Sequence, residues 1–490
     1  MKKYTQPLLF ALLTLAFGGC SKDHFDPKVD QYLSQERKDE LKGEVESKVR
    51  LLEIELNGIY NNNVAVQTSG ADSFGLKAIG LATDLSGLDM IQYTYSWFGT
   101  DYNFDMWRAE FGRTGFMWNF LYKQISSINM VLSDYFPEVP TNQVLYQQYA
   151  QLKALRGIYY YYLVNLYQHS YQGNATSLGV PLVLTPSDGY LARATVEAVY
   201  TQIKEDLSVV DNALFLITPS KTDVDKAVAA TYLAKVYAHR QEWGQVLTYS
   251  RMVLNSGYFT FTSPTELQAG KWDLGISSWL WGYDVTQENS TQWSSLYAHL
   301  DNTIALGYAG TGAFKNIYSN LYAQIPNTDV RKQLYINRTL FPTIANRYPH
   351  LPDYANIKFV TDQNFLSDYC FLRFEDPFLL YTEALVELNQ LDTARRTLSY
   401  FLQTFRDESY TSTAVTQDAL RDEVRTQRRI ELWGEGTSFF DFKRWGMGAN
   451  RTEVGSNHVF AIQVPAGDRR WVYQIPTSEM EANTHMVQNQ

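Results

Sequence analysis

Two stretches of this chain repeat one layout at a shift of 148 positions: residues 232–246 (YLAKVYAHRQEWGQV) and residues 380–394 (LYTEALVELNQLDTA). Each reads as two helices joined by a short polar turn. The small residues Ala234, Ala238, Ala384 and Ala394 let the paired helices approach closely, and Trp243 or Leu391 opens the second helix, as in tetratricopeptide hairpins. A helical hairpin cannot bury its apolar face alone, so a chain carrying two of them must stack helices side by side. The spacing elsewhere agrees. Leu41, Val45, Val49, Leu52, Leu56 and Ile59 recur at three- and four-residue intervals on one helix. A second helix is expected from Phe104 to Tyr135, with Trp107 and Trp118 as core residues, ended by Pro137 and Pro140. A third runs from Val144 to Tyr167 and contains Tyr159 to Tyr162, too aromatic all round to be a surface helix.

The fold class that follows is mostly α: a tetratricopeptide-like scaffold of helical hairpins with long loop-rich insertions and a few short strands. With 490 residues, 45% hydrophobic and 19% charged, the chain has ample apolar surface for a core. Residues 257–370 are rich in Gly, Ser, Asn and aromatics and read as an insertion on the scaffold, the place where function is expected. Aromatic residues reach 15%, with 35 Tyr and 11 Trp, more than a plain helical scaffold needs. A net charge of −10 without any Lys/Arg-rich run argues against nucleic acid, since phosphate binding needs a clustered basic surface.

The chain opens as an export signal, with Lys2 and Lys3 before an apolar run from Leu8 to Phe17 that is too short to span a bilayer. Gly18-Gly19 directly before Cys20 resembles the lipobox of bacterial lipoproteins. Residues 1–19 are then a cleaved signal peptide, Cys20 the acylated mature N-terminus, residues 20–28 a tether, and 29–490 a single domain. Fatty-acyl chains such as palmitate, at about 0.8 kcal/mol per buried methylene, would hold the protein to a membrane without spanning it. The other cysteine, Cys370, lies in an apolar stretch without a nearby His and reads as a buried structural thiol.

No catalytic constellation stands out. Carboxylate pairs such as Glu375-Asp376 prove nothing among 52 acidic residues. Residues 71–75 (ADSFG) miss the first glycine of a nucleophile elbow, and residues 307–312 (GYAGTG) lack the Lys of a phosphate loop. The seven histidines are scattered, so no metal or cofactor is expected, except that the Asp-bearing stretch from Thr83 to Asp89 could take a structural calcium ion.

The most specific signal is near the end: residues 428–436 (RRIELWGEG), then 440–446 (FDFKRWG), then Tyr473 to Glu479 with Asn483, Gln488 and Asn489. This resembles the C-terminal signature of the SusD/RagB family of outer-membrane lipoproteins. Residues 118–122 (WNFLY) with Ile125 and Asn129, Leu155-Arg156, residues 179–182 (GVPL), residues 205–207 (EDL), and Arg373 to Ala384 fall in family order, so the likeness covers nearly the whole mature chain. In physical terms the Arg-rich helix reads as structure, with Arg428 and Glu431 three residues apart on one face and Gly434 suited to a helix C-cap. The resemblance implies a non-enzymatic protein that binds oligosaccharide, or peptide in the RagB branch. It also implies a SusC/RagA-like TonB-dependent transporter as partner and a lipid-anchored place at the outer-membrane surface. The family often has a lysine and two acids after the lipidated Cys, whereas here Lys22-Asp23 is followed by His24.

The ligand site expected is an arc of loop-borne aromatics, because flat rings offer wide contact at little entropic cost while neighbouring amides fix orientation. The family's corresponding loop contributes aromatic and Asn contacts, which points to Trp97, Tyr102 and Asn103 in residues 92–103. The facing wall is expected from the region after residues 279–283 (WLWGY), with Trp293, Tyr297 and Tyr308. A secreted hydrolase of polysaccharide or peptide, or a structural surface protein, are the alternatives.

Overall fold

A computed structural model of the chain describes residues 39–105 and 107–489. The expected signal peptide, Cys20 and tether lie outside the described residues. The chain divides into two units, residues 1–48 and 49–490. Of the first, residues 39–48 are described: a helical turn, then the start of α1 (Val45–Asn62). All that follows concerns the second unit. Among its described residues no helix is long and apolar enough to cross a membrane.

Within it α1 buries Leu52, Leu56 and Ile59, together with Leu51 and Tyr60. After α2 (Gly75–Leu85), strand β1 (Met90–Gln92) and the single turn α3 (Gly99–Tyr102) comes α4 (Gly112–Tyr135). The helix expected from Phe104 thus begins eight residues later. Phe104 sits at φ 55°, a left-handed conformation that a helix cannot contain, and Phe111 is extended. Trp107 consequently lies outside the helix, half-buried beneath the Arg469 guanidinium at 4.4 Å, while Trp118 is core as expected.

Helix α5 (Gln143–Tyr167) is N-capped by Asn142, whose side chain accepts from the Val144 and Leu145 amides. Its tyrosine run is internal, which is tolerable because each phenol finds a partner. Tyr159 donates to Asn63 Oδ1 at 2.7 Å and Tyr160 to the Val183 carbonyl at 2.7 Å; Tyr161 meets His239 Nε2 and Tyr162 meets the Tyr232 hydroxyl.

After α6 (Val196–Leu207), helices α7 (Lys226–Arg240) and α8 (Trp243–Leu254) form the first repeated hairpin. The insertion then holds only short elements: α9 (Pro264–Ala269), β2 (Trp279–Tyr283), α10 (Leu296–Leu300), β3 (Lys315–Ile317), α11 (Ser319–Ala323), α12 (Pro342–Arg347) and β4 (Tyr369–Arg373). The second hairpin follows as α13 (Glu375–Glu387) and α14 (Leu391–Phe405). Its corner repeats the backbone pattern of the first in register. Gln241 (φ 59°) and Asn389 (φ 57°), 148 positions apart, are both left-handed. In each corner two successive amides return to equivalent carbonyls: 241 to Ala238 and 242 to Tyr237, 389 to Val386 and 390 to Leu385. The repeat read in the sequence is therefore a repeat of backbone geometry, and α13 packs against both α7 and α8 to stack the two hairpins.

Two small antiparallel pairings tie the insertion down. Strand β2 pairs β4 with an irregular register, holding the two ends of the insertion together, and β1 pairs β3 with Met90 opposite Ile317 and Gln92 opposite Lys315. The second brings the loop after residue 92 against the loop before residue 315.

Helices α15 (Gln417–Glu431), α16 (Ser438–Trp445) and α17 (Thr477–Ala482) complete the scaffold. Arg428 and Glu431 do not pair with each other, contrary to the spacing argument. Arg428 is held by Asp376 and Asp441, each at 2.7 Å. Glu431 accepts from Arg373, Arg406 and Arg331 at 2.8, 2.8 and 3.1 Å. Nor is Gly434 the C-cap: α15 is capped by Leu432, and Gly434 lies in the following turn at φ 79°, where a Cβ would come within 2.6 Å of the Phe359 ring. Cys370 is buried, and burial first of all pushes its thiol up to about 12, an inert structural sulfur.

Candidate ligand-binding face

The β1–β3 pairing and the insertion loops bring three of the six expected residues together. Tyr308 is central: its ring centroid lies 5.9 Å from that of Trp97 and 6.1 Å from that of Trp293, both near edge-to-face. Trp97 and Trp293 are each 44% exposed, so two large rings face solvent on either side of a half-buried third. Tyr93 (48%) and Tyr95 (68%) extend the exposed aromatic surface along the same loop as Trp97.

Each ring is placed by its loop. Trp97 precedes the turn α3, with its neighbour Phe98 fully buried against Phe74 and His299 and covered by the Arg113 guanidinium at 4.4 Å. Trp293 follows the left-handed Gln292 and leans on Phe365 at 5.7 Å; Ser295 then caps α10. The loop that carries Trp293 is tethered by the Asp368 carboxylate, which accepts from the Leu274 and Val285 amides. Tyr308 sits in a tight loop where Gly310 is obligatory, because a Cβ there would lie 1.9 Å from the Ile304 carbonyl oxygen.

Beneath Tyr308 lies His299, on α10. The two rings stack at 4.6 Å and 17°, and His299 also stacks on Phe74 at 5.6 Å. Burial, aided by the nearby Lys315, holds the imidazole well below its ordinary pKa, so it is neutral, and its Nε2 donates to the Ala71 carbonyl at 2.9 Å. The exposed arc thus rests on a buried aromatic stack with a neutral imidazole at its centre. His299 was not singled out from the sequence, where a lone histidine in an apolar helix carries no signal of what stacks on it.

The other three expected residues are placed differently. Tyr102 is 3% exposed, stacked on His458 and hydrogen-bonded to its Nδ1 at 2.9 Å, with the Arg451 guanidinium also over its ring. Tyr297 is 1% exposed and donates to the Asp368 carbonyl at 2.8 Å. Both rings are spent inside the core and cannot meet a ligand in this conformation. Asn103 is half-buried as the C-cap of α3. The calcium stretch also resolves otherwise: Asp84 accepts from the Gly436 amide and Asp89 from Arg429, so its carboxylates serve two different protein partners. Among the described residues no cluster of metal-ligating side chains occurs.

Comparison with known proteins bears on most of the chain. A family model described as the SusD family matches residues 346–490, and one described as "Starch-binding associating with outer membrane" matches residues 32–238. Among solved structures, a SusD-like carbohydrate-binding protein from Bacteroides vulgatus is 21% identical with a TM-score of 0.77, over 89% of this chain and 97% of that one. A SusD superfamily protein from Bacteroides thetaiotaomicron is 21% identical with a TM-score of 0.75, over 90% and 99%. One from Parabacteroides distasonis is 18% identical with a TM-score of 0.71, over 90% and 98%. At these identities the structures establish the fold alone. No protein of curated function matches. On the two family models, with the C-terminal signature and the shared fold, this chain belongs to the SusD/RagB family.

Proposed function

We propose that the protein is a cell-surface lipoprotein that captures an oligosaccharide on the arc formed by Trp97, Tyr308 and Trp293 and hands it to a TonB-dependent outer-membrane transporter, without catalysing a reaction. The observation that carries this reading is the pair of half-exposed tryptophans flanking Tyr308 over a neutral, buried support. Rings held rigidly at a surface give a saccharide's C–H faces a large contact area at small entropic cost. The family description, starch-binding and associating with the outer membrane, favours a glycan over a peptide. The Cys20 lipobox supports anchoring, and a tether over residues 20–28 would keep the body at high effective concentration over its transporter, so that even a weak interface would reclose.

The test is an oligosaccharide array followed by calorimetric titration of the best-bound glycan. Trp97→Ala and Trp293→Ala should each weaken binding about tenfold, in keeping with ~1–2 kcal/mol for a stacking ring. Tyr102→Phe, which alters only a buried hydroxyl, should leave affinity unchanged. Unchanged affinity in both tryptophan variants would remove the arc, and binding of a peptide pool in place of any glycan would overturn the ligand class.

A further inference from the structure

A second concave site, lined by none of the arc's residues, lies where α4, the loop at residues 181–191 and α17 converge. It encloses a cavity of about 370 Å³, within the range of small-ligand sites. Its floor is one face of α4, where Asn119, Tyr122 and Ser126 follow each other at three- and four-residue spacing. Tyr190 stands on the loop wall with 63% of its surface exposed. Glu479, at the start of α17, also lines the cavity.

The walls are fixed before any ligand arrives. Tyr122 donates to the Pro181 carbonyl at 2.8 Å, and Asn129 to the Val183 carbonyl at 2.9 Å. The Asp188 carboxylate folds the loop on itself by accepting from the Leu184 and Thr185 amides at 2.7 and 2.9 Å. Asn483 joins the two walls, donating to the Leu191 carbonyl and to Glu479 Oε1, both at 3.0 Å. That leaves a distinct set of groups unused: the side chains of Asn119, Ser126 and Tyr190 and the second oxygen of Glu479 make no hydrogen bond among the described residues.

The geometry points to a second saccharide-binding site here, one that takes a neutral or amino-bearing sugar ring. Tyr190 supplies a flat apolar face, and the amide, hydroxyl and carboxylate groups supply both donors and acceptors for ring hydroxyls. The charges lining the cavity, Asp188 and Glu479, are both negative. Arg193, whose charge reaches Tyr122, is itself buried and donates to the Gly179, Leu178 and Val487 carbonyls and to Asn489 without lining the cavity. A uronate or sulfated ring therefore meets repulsion while an amino sugar meets attraction. The inference does not rest on the arc. Two sites on one body would let a long glycan bind twice, so that the second contact becomes intramolecular.

An array of neutral, hexosamine-bearing and uronate-bearing oligosaccharides tests it, probed with wild type, with Trp97→Ala/Trp293→Ala, and with that double variant carrying Tyr190→Ala or Asn119→Ala. The exposure of Tyr190 and Asn119 keeps the fold intact, which circular dichroism checks. We expect the double variant to retain a neutral or hexosamine glycan, and either added substitution to weaken that residual binding about tenfold. Residual binding that ignores both additions, that selects uronates, or that is absent in the double variant overturns the second site. If wild type and double variant bind equally and adding Tyr190→Ala to the double variant abolishes binding, this pocket stands and the arc falls.

Discussion

Glu431→Ala should destabilise the protein by about 3–5 kcal/mol, the cost of leaving buried charge uncompensated. Glu431 closes a buried network in which four cations, Arg331, Lys358, Arg373 and Arg406, meet four anions, Asp329, Glu375, Glu431 and Glu435. Three of those arginines converge on its two oxygens. Removing it leaves three guanidiniums in the core with one anion fewer. The network joins the insertion, through Arg331 and Lys358, to α13, α14 and α15, so its loss should also loosen the loops that carry Trp293 and Tyr308. Asp392→Ala, at the exposed Asp392–Arg395 pair, should change stability within experimental error. Urea unfolding monitored by tryptophan fluorescence measures both; a Glu431→Ala midpoint close to that of wild type would show that the network is not what holds the insertion to the scaffold.

The same network fixes an acid limit. Burial alone would raise the Glu431 carboxyl, but Arg406, Arg373 and Arg331 outweigh it and hold the group well below the usual range. Outside that network Asp376 is also buried, yet Lys235 and Arg428 bring it down to about 2. For carboxyls depressed in the folded state, the unfolded chain binds protons first as pH falls. Their stabilisation is complete above the unfolded value of about 4 and is lost progressively as pH falls below it, for Asp376 toward about 2. The gap between wild type and Glu431→Ala should accordingly be constant from pH 7 to pH 5 and narrow only in more acidic buffer.

The second large effect concerns location. On the proposed anchor, Cys20→Ala leaves no acylation site, and the protein should move from the outer-membrane fraction to the soluble fraction almost completely, because the signal is otherwise too short to hold it in a bilayer. The released protein should keep its affinity for glycan and lose its support of uptake, since capture without tethering forfeits the effective concentration at the transporter. Fractionation with immunodetection, paired with growth on the bound glycan, reads both. Retention of Cys20→Ala in the membrane, or normal uptake with all of it soluble, would refute the anchor.

Local regularity was what the sequence exposed. The repeat at a shift of 148 positions showed two hairpins with a short polar turn each, and the structure adds that the two corners share a left-handed residue and the same hydrogen bonds, since a corner is set by neighbours a few positions away. Tyr159 to Tyr162 announced a buried helix by leaving no polar face. Partners distant in sequence were not legible: the spacing of Arg428 and Glu431 suggested a local pair, whereas each is claimed by residues from other elements. The aromatics divided for the same reason. Trp97, Trp293 and Tyr308 remain on loop surfaces, but Tyr102 and Tyr297 belong to short helical turns, α3 and α10, whose inner faces swallow the ring. A window centred on residues 92–103 held the necessary hint, since Tyr93, Tyr95 and Trp97 alternate and are the exposed members, while Tyr102 breaks that alternation.

The claim on which the functional account turns is that glycan lies across Trp97 and Trp293. Both rings are open to solvent in the free protein and so accessible to oxidative labelling read by mass spectrometry. With the best-bound oligosaccharide at saturation, the account predicts that oxidation of Trp97 and Trp293 falls severalfold while that of other exposed residues, such as Tyr258 and Tyr400, stays constant; equal oxidation of both tryptophans with and without glycan would contradict it.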